Sequence, residues 1–119
     1  MSNNLTLTAE RENNTIHLSG RIDISSSQIL RQALNDAPTD ALPIILDFQN
    51  VSYISSSGLR ELLIARKRLG KNALLLYGVN TEVEEILHTT GFSELLNYTT
   101  ADSQKDTSSM SFTFRTIPY

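Results

Sequence analysis

No cysteine occurs among the 119 residues, which excludes disulfides and thiolate-bound metals, so an apolar core has to hold the fold. No run of eighteen apolar residues occurs either, and the first residues, MSNNLTLTAERENN, have no basic stretch leading into an apolar one. A membrane-spanning helix and an export signal are therefore not expected, and the chain is read as cytoplasmic. Excess positive charge is also missing: 10 basic residues face 13 acidic ones, for a formal net charge of −3. The one dense basic run is Arg66-Lys67-Arg68, so nothing draws the chain to a polyanion and nucleic acid is not an expected partner. Glycine-rich phosphate cradles of the Walker or dinucleotide type are lacking. The Gly-x-Ser-x-Gly nucleophile elbow fails as well, because Ser55 and Leu59 stand where glycine would flank Ser57. His17 and His88 come without spaced carboxylates, which makes a surface or partly buried role the expected one for both. The residue inventory thus implies no metal, no cofactor and no catalytic group, and favours a binding module over an enzyme.

What is present suits one domain: 39% of the residues are hydrophobic, and a chain of this length holds one core. Residues 5–9 and 15–18 alternate apolar and polar around the polar turn Glu12-Asn13-Asn14 and read as a hairpin. Ser19-Gly20 reads as a break. From Ile24, apolar positions at Leu30, Ala33, Leu34 and Ala37 predict a helix that Pro38 follows. Residues 44–48, Ile-Ile-Leu-Asp-Phe after Pro43, predict a central strand covered on both faces. A second helix runs from Ser57 through Leu59, Leu62, Leu63, Arg66 and Leu69 to Gly70. A strand over 73–77, a helix carrying Val83, Ile86 and Leu87 up to Gly91, and a short strand over 95–98 complete the domain. Strands alternating with helices imply an α/β sandwich with a mixed sheet of four to five strands and three to four helices, spanning residues 1–98. Residues 99–119 read as a polar linker whose end, with Phe112, Phe114, Ile117 and Tyr119, is either a frayed terminus or a docking segment.

The segment with chemical character is Ser55-Ser56-Ser57-Gly58-Leu59-Arg60, between the central strand and the second helix. A serine before Gly-Leu suits a helix cap or first turn, where its oxygen accepts from an unpaired amide. Neither Ser57 with Glu61 nor Ser56 with Arg60 has the spacing of three that a capping box needs. Gly58 is expected to remove bulk and let another molecule approach. Three hydroxyls exceed what capping needs. A phosphate here would meet free amides and the positive end of the helix dipole, worth about 0.3–1 kcal/mol, and would add about −1.5 to −2 charge to the surface. Asp23 reads as a cap of the first helix, and Asp47 as a group satisfied locally or by solvent. Arg66, Lys67 and Arg68 complement the dipole at the end of their helix, whereas Arg60 opposes it near the start, which suggests a contact with a partner carboxylate.

With Leu46-Asp47-Phe48, Val51, Tyr53-Ile54 and Ser56-Ser57-Gly58-Leu59, and with Gly20-Arg21-Ile22-Asp23 upstream, the chain resembles the STAS domain of bacterial anti-sigma factor antagonists over about residues 5 to 98. The resemblance implies a non-enzymatic partner in a switch. The serine before the glycine, Ser57, would be phosphorylated by an anti-sigma factor with a histidine-kinase-like ATPase fold, and a serine phosphatase would reverse the modification. Ser56 and Ser55 are the alternative acceptors. The expected partner surface comprises Asp23, Ser55, Ser56, Gly58 and Arg60. Two departures stand out: Ser55 occupies the position where antagonists typically carry Asp, and residues 102–109 lack the apolar stripe of the family's usual terminal helix.

Overall fold

A computed structural model describes residues 6–40 and 42–101. Alternation builds the first hairpin: Leu7–Glu12 (β1) pairs antiparallel with Thr15–Ile22 (β2) across a turn in which Asn13 takes a positive φ of 59°, a conformation that asparagine tolerates. Leu5 and the aromatic end, Phe112 to Tyr119, lie outside the described residues. The expected break at Ser19-Gly20 is instead a pair of register shifts, one on either side of these residues, inside a longer strand. Gly20 adopts φ +120°, and a Cβ there would collide with the Thr6 carbonyl oxygen. Only glycine allows the bend.

Three crossovers follow, through Ser27–Asp36 (α1), Ser56–Leu69 (α2) and Thr81–Thr90 (α3). They join β2 to the parallel strands Ile44–Ile54 (β3), Leu74–Val79 (β4) and Asn97–Thr100 (β5). The sheet order is β1-β2-β3-β4-β5. Each crossover therefore steps the same way across the sheet, and right-handed connections then put all three helices on one face. One core results, with Ile16, Leu18, Leu46, Phe48 and Leu76 from the sheet against Leu30, Leu34, Leu59, Leu62, Val83 and Leu87 from the helices.

That geometry corrects the expectation that the central strand is covered on both faces. In β3, Ile44, Leu46 and Phe48 are fully buried while Ile45 and Asp47 between them are half-buried, because the described helices cover one side only. The strand also runs further than the apolar stretch implies, to Ile54, its second half alternating through Val51. At the far edge, β5 continues through Thr99 and Thr100, two residues past the expected end of the domain core. α3 ends as read, with Gly91 closing the helix at φ +85°, and it starts at a cap that the sequence reading did not name, the Asn80 side chain accepting from the Val83 amide at 2.8 Å.

Candidate functional site

β2 and β3 end side by side, and the Ser55 amide donates to the Ile22 carbonyl at 2.8 Å. The serine loop is thereby fixed to the same sheet end as Asp23. Ser55, not Ser57, is the N-cap of α2: its backbone is extended (φ −91°, ψ 174°) and its Oγ accepts from the Gly58 amide at a long 3.4 Å. Ser56 is the first helical residue and is exposed, and Ser57, the second, is half-buried. The Ser55 and Ser57 Oγ atoms lie 2.7 Å apart. The Ser55 hydroxyl orients the Ser57 oxygen. Ser55 is the one hydrogen-bond partner of the Ser57 hydroxyl among the described residues. Among the described residues no imidazole or carboxylate hydrogen-bonds to this oxygen, the arrangement that would make it a nucleophile.

The role expected for Gly58 is corrected. This residue is buried rather than open to a visitor. A Cβ there would sit 2.5 Å from Ile22 Cγ2 and 2.8 Å from Ile54 Cγ1. Glycine lets the first turn of α2 press onto the ends of β2 and β3, a packing role that the sequence spacing could not reveal.

Asp23 caps the chain one turn earlier than expected. The helical cap position belongs to Ser26, and Asp23 instead closes the turn that leads into it. Its Oδ1 accepts from the Ser25 hydroxyl (2.7 Å) and amide (3.0 Å), and from the Ser26 amide (3.1 Å) and hydroxyl (3.2 Å). These bonds, the one from the Ser25 hydroxyl foremost, hold the carboxyl below its ordinary value of 3.8. Ser26, 1% exposed, donates to the Arg21 carbonyl at 2.7 Å. Ile24, expected to begin the buried stripe of the first helix, lies in the turn at 83% exposure. The Asp-x-Ser-Ser pattern of Asp23 to Ser26 is the overlooked signal, since it is a turn capped by its own aspartate. Arg21 was missed as well: its guanidinium lies 4.5 Å from the centroid of the Tyr53 ring, with Nε 3.9 Å from Asp23 Oδ2. Arg60 is exposed on α2.

The remaining polar candidates lie apart from this loop. Asp47 Oδ2 meets His17 Nδ1 at 2.8 Å on the sheet face opposite the helices, and His17 Nε2 reaches Glu12 Oε1 at 3.3 Å. His88 neighbours Glu84 (3.6 Å) and the Tyr98 hydroxyl (3.4 Å). No group of three or more His, Cys, Asp or Glu side chains suited to a metal ion occurs among the described residues, and none of their helices is long and apolar enough to cross a membrane.

Residues 6–107 match the model of the STAS domain. The chain belongs to the STAS domain family. It is 32% identical over 89 residues, 73% of its own length and 88% of the relative's, to a STAS-domain containing protein of Pseudomonas aeruginosa. Its fold is that of a crystallised anti-sigma factor antagonist from Mycobacterium paratuberculosis, with a TM-score of 0.64 and 24% identity over 78% of this chain and 83% of that one. A candidate anti-sigma factor antagonist from Thermotoga maritima gives a TM-score of 0.58 and 17% identity over 84% and 92%. In this STAS domain the serine loop, the Asp23 turn and the start of α2 thus form one continuous end of the sheet.

Proposed function

We propose that this STAS protein is an anti-sigma factor antagonist working as a phosphorylation-controlled partner switch in the cytoplasm. Unmodified, the loop around Ser57 and the adjoining Asp23 turn dock on an anti-sigma factor that is itself a kinase of the histidine-kinase-like ATPase fold, and its sigma factor is released. Phosphorylated on Ser57, the chain no longer fits, until a serine phosphatase restores it. The protein contributes no catalysis and no cofactor of its own.

One observation carries the reading. The Ser57 oxygen, held 2.7 Å from Ser55, sits in the first turn of a helix braced on the sheet, with no imidazole or carboxylate hydrogen-bonded to it among the described residues. Such a hydroxyl is suited to receive a phosphoryl group from a kinase that brings the base. The amides of a first turn lack helical acceptors, and the dipole favours an anion by about 0.3–1 kcal/mol, so the modified chain stays folded while its surface gains negative charge. At a protein interface the same dianion must be desolvated against the partner, and each 1.4 kcal/mol lost is about tenfold in affinity. Incubation with the cognate kinase and ATP, followed by mass spectrometry, tests the proposal. Phosphate is expected on Ser57, and its absence from Ser55, Ser56 and Ser57 alike would remove the switch. A second reading rests on Ser55 standing in place of a carboxylate: a STAS scaffold or regulatory interaction domain that uses the same end of the sheet and is never phosphorylated. Ser57→Asp separates the two, since it abolishes binding under the switch and spares a contact that lies outside the loop.

A further inference from the structure

The helix whose first turn holds Ser57 carries four cationic residues, Arg60, Arg66, Lys67 and Arg68, against the single carboxylate of Glu61, in a chain whose net charge is −3. Positive charge is therefore concentrated on one element. Between α1 and α2 runs a groove of about 280 Å³, lined by Arg31, Leu34 and Asn35 from the first helix and Glu61, Ile64, Ala65 and Arg68 from the second. Leu34 and Ala65 form a buried floor, each 2% exposed, and Ile64 stands out of it at 50%. The two arginines at the rims are held loosely. Arg31 Nη1 is 3.9 Å from Glu61 Oε2, and Arg68 Nη2 is 3.3 Å from Asn35 Oδ1 and 3.5 Å from the Leu34 carbonyl oxygen. Both arginines are exposed and engage only one guanidinium nitrogen in these contacts, so each keeps donors for a second acceptor while Glu61, 12% exposed, keeps its partner.

Helical spacing ties this groove to the serine loop. At 100° per residue, Ser57, Glu61, Ile64 and Arg68 fall within an arc of about 60°, so Ser57 lies at one end of the groove, about 10 Å along the axis from Ile64 and about 16 Å from Arg68.

We infer that the α1–α2 groove is a docking site for an acidic amphipathic helix of the partner, its apolar stripe seated on Ile64, Leu34 and Ala65 and its flanking carboxylates on Arg31 and Arg68. This deepens the proposed switch and rests on it for the identity of the partner. A helix laid between two helices is a packing mode that needs only an apolar seam and matched rims. A nucleic acid fits less well, because the apolar seam of Leu34, Ile64 and Ala65 offers its phosphates nothing, whereas it seats the apolar stripe of a helix. The sign of the switch then follows. A phosphate on Ser57 adds negative charge to the end of a groove that attracts carboxylates. With a Debye length of about 8 Å, it repels those at Arg31, which stands beside Glu61 about 6 Å along the axis, and is screened from those at Arg68.

The test uses the full ¹⁵N-labelled chain and three probes: a stapled amphipathic peptide with a leucine stripe flanked by glutamates, the same peptide with lysines, and a short DNA duplex. The acidic peptide is expected to shift the amides of residues 31–35 and 61–68, and the lysine peptide to leave them in place. The double variant R31E/R68E should weaken acidic binding about tenfold and S57D about threefold, in line with rim charges and their screening. I64S, at an exposed position, should also weaken it about tenfold and serves should the double variant fail to fold. No shift of those amides at millimolar acidic peptide, equal binding of the lysine peptide, or tighter binding of the DNA at the same amides overturns the proposal. The two readings fail separately. If S57D binds the peptide as the unmodified chain does while R31E/R68E does not, the groove stands and the electrostatic switch falls. If a kinase phosphorylates Ser57 yet binds R31E/R68E with unchanged affinity, the groove falls and the switch stands.

Discussion

At the scale of single residues, the serine loop divides into side chains that present an oxygen and one that gives up its side chain to packing. Ser55 is both the cap of α2 and the orienting neighbour of Ser57, and its cap bond is long at 3.4 Å. Ser55→Ala should therefore cost only about 0.5–1 kcal/mol, at the low end of N-cap losses, while leaving the Ser57 hydroxyl without a fixed partner. Chemical denaturation reads the first effect, and the rate of phosphorylation by the cognate kinase reads the second. Gly58 is the opposite case. Alanine gains up to about 1 kcal/mol in helix propensity, but its Cβ would press on Ile22 and Ile54, both at most 1% exposed. Overpacking of this kind costs about 1–3 kcal/mol, so the clash wins and Gly58→Ala should lower the unfolding free energy by about 1–2 kcal/mol. A melting temperature unchanged or raised in that variant would contradict the packing role. The hydroxyl positions were legible in the sequence because capping is a local property of a strand-to-helix junction. The glycine was not, because the atoms it makes room for come from the ends of β2 and β3 and only the folded sheet brings them beneath α2.

Among the elements, periodicity located the three helices and the sheet, and the errors fall where one residue type serves two purposes. Gly20 punctuates many loops, so Ser19-Gly20 reads as an end, yet here it bends a strand that continues to Ile22. That continuation matters, since Asp23 and the Ile22 carbonyl that anchors Ser55 both depend on where β2 ends. Gly20→Ala would combine a strained φ of +120° with a collision against the Thr6 carbonyl. A loss of about 2–4 kcal/mol is expected in denaturant unfolding, larger than for Gly58→Ala because backbone atoms cannot step aside as side chains do. Ile24 shows the same ambiguity in another form. Its place before an apolar stripe suggested burial, but the Asp23 turn ends the strand and leaves the side chain at 83% exposure beside the proposed partner surface. The groove between α1 and α2 had no counterpart in the sequence reading at all. Which helices are neighbours is decided by the order of strands in the sheet, and periodicity within one helix does not encode that order.

For the molecule as a whole, polar chemistry is segregated to the two sides of the sheet. The helix side and its serine loop carry the proposed docking surface, and the side that the described helices leave uncovered carries His17 between Asp47 and Glu12. Hydrogen bonds to Asp47 first and Glu12 second raise the His17 pKa above its ordinary 6.5. A group whose pKa is raised by folding contributes stability that is complete below the unfolded value and fades as pH climbs through the folded one. Asp23 works in the other direction. Its lowered pKa contributes stability above 3.8, which is lost as pH falls through the folded value. The two windows overlap between 3.8 and 6.5, where both contributions are present together. Melting curves of the wild type and His17→Asn across pH check the upper limit. The difference between them should be larger at about pH 5.5 than at about pH 8.5, because the contribution fades as pH rises above 6.5 through the folded value. Because His17 lies on the sheet face away from Ser57, the same substitution should leave phosphorylation and partner affinity unchanged at both pH values. A loss of partner binding in His17→Asn, with its fold intact, would place the docking surface on the wrong side of the sheet.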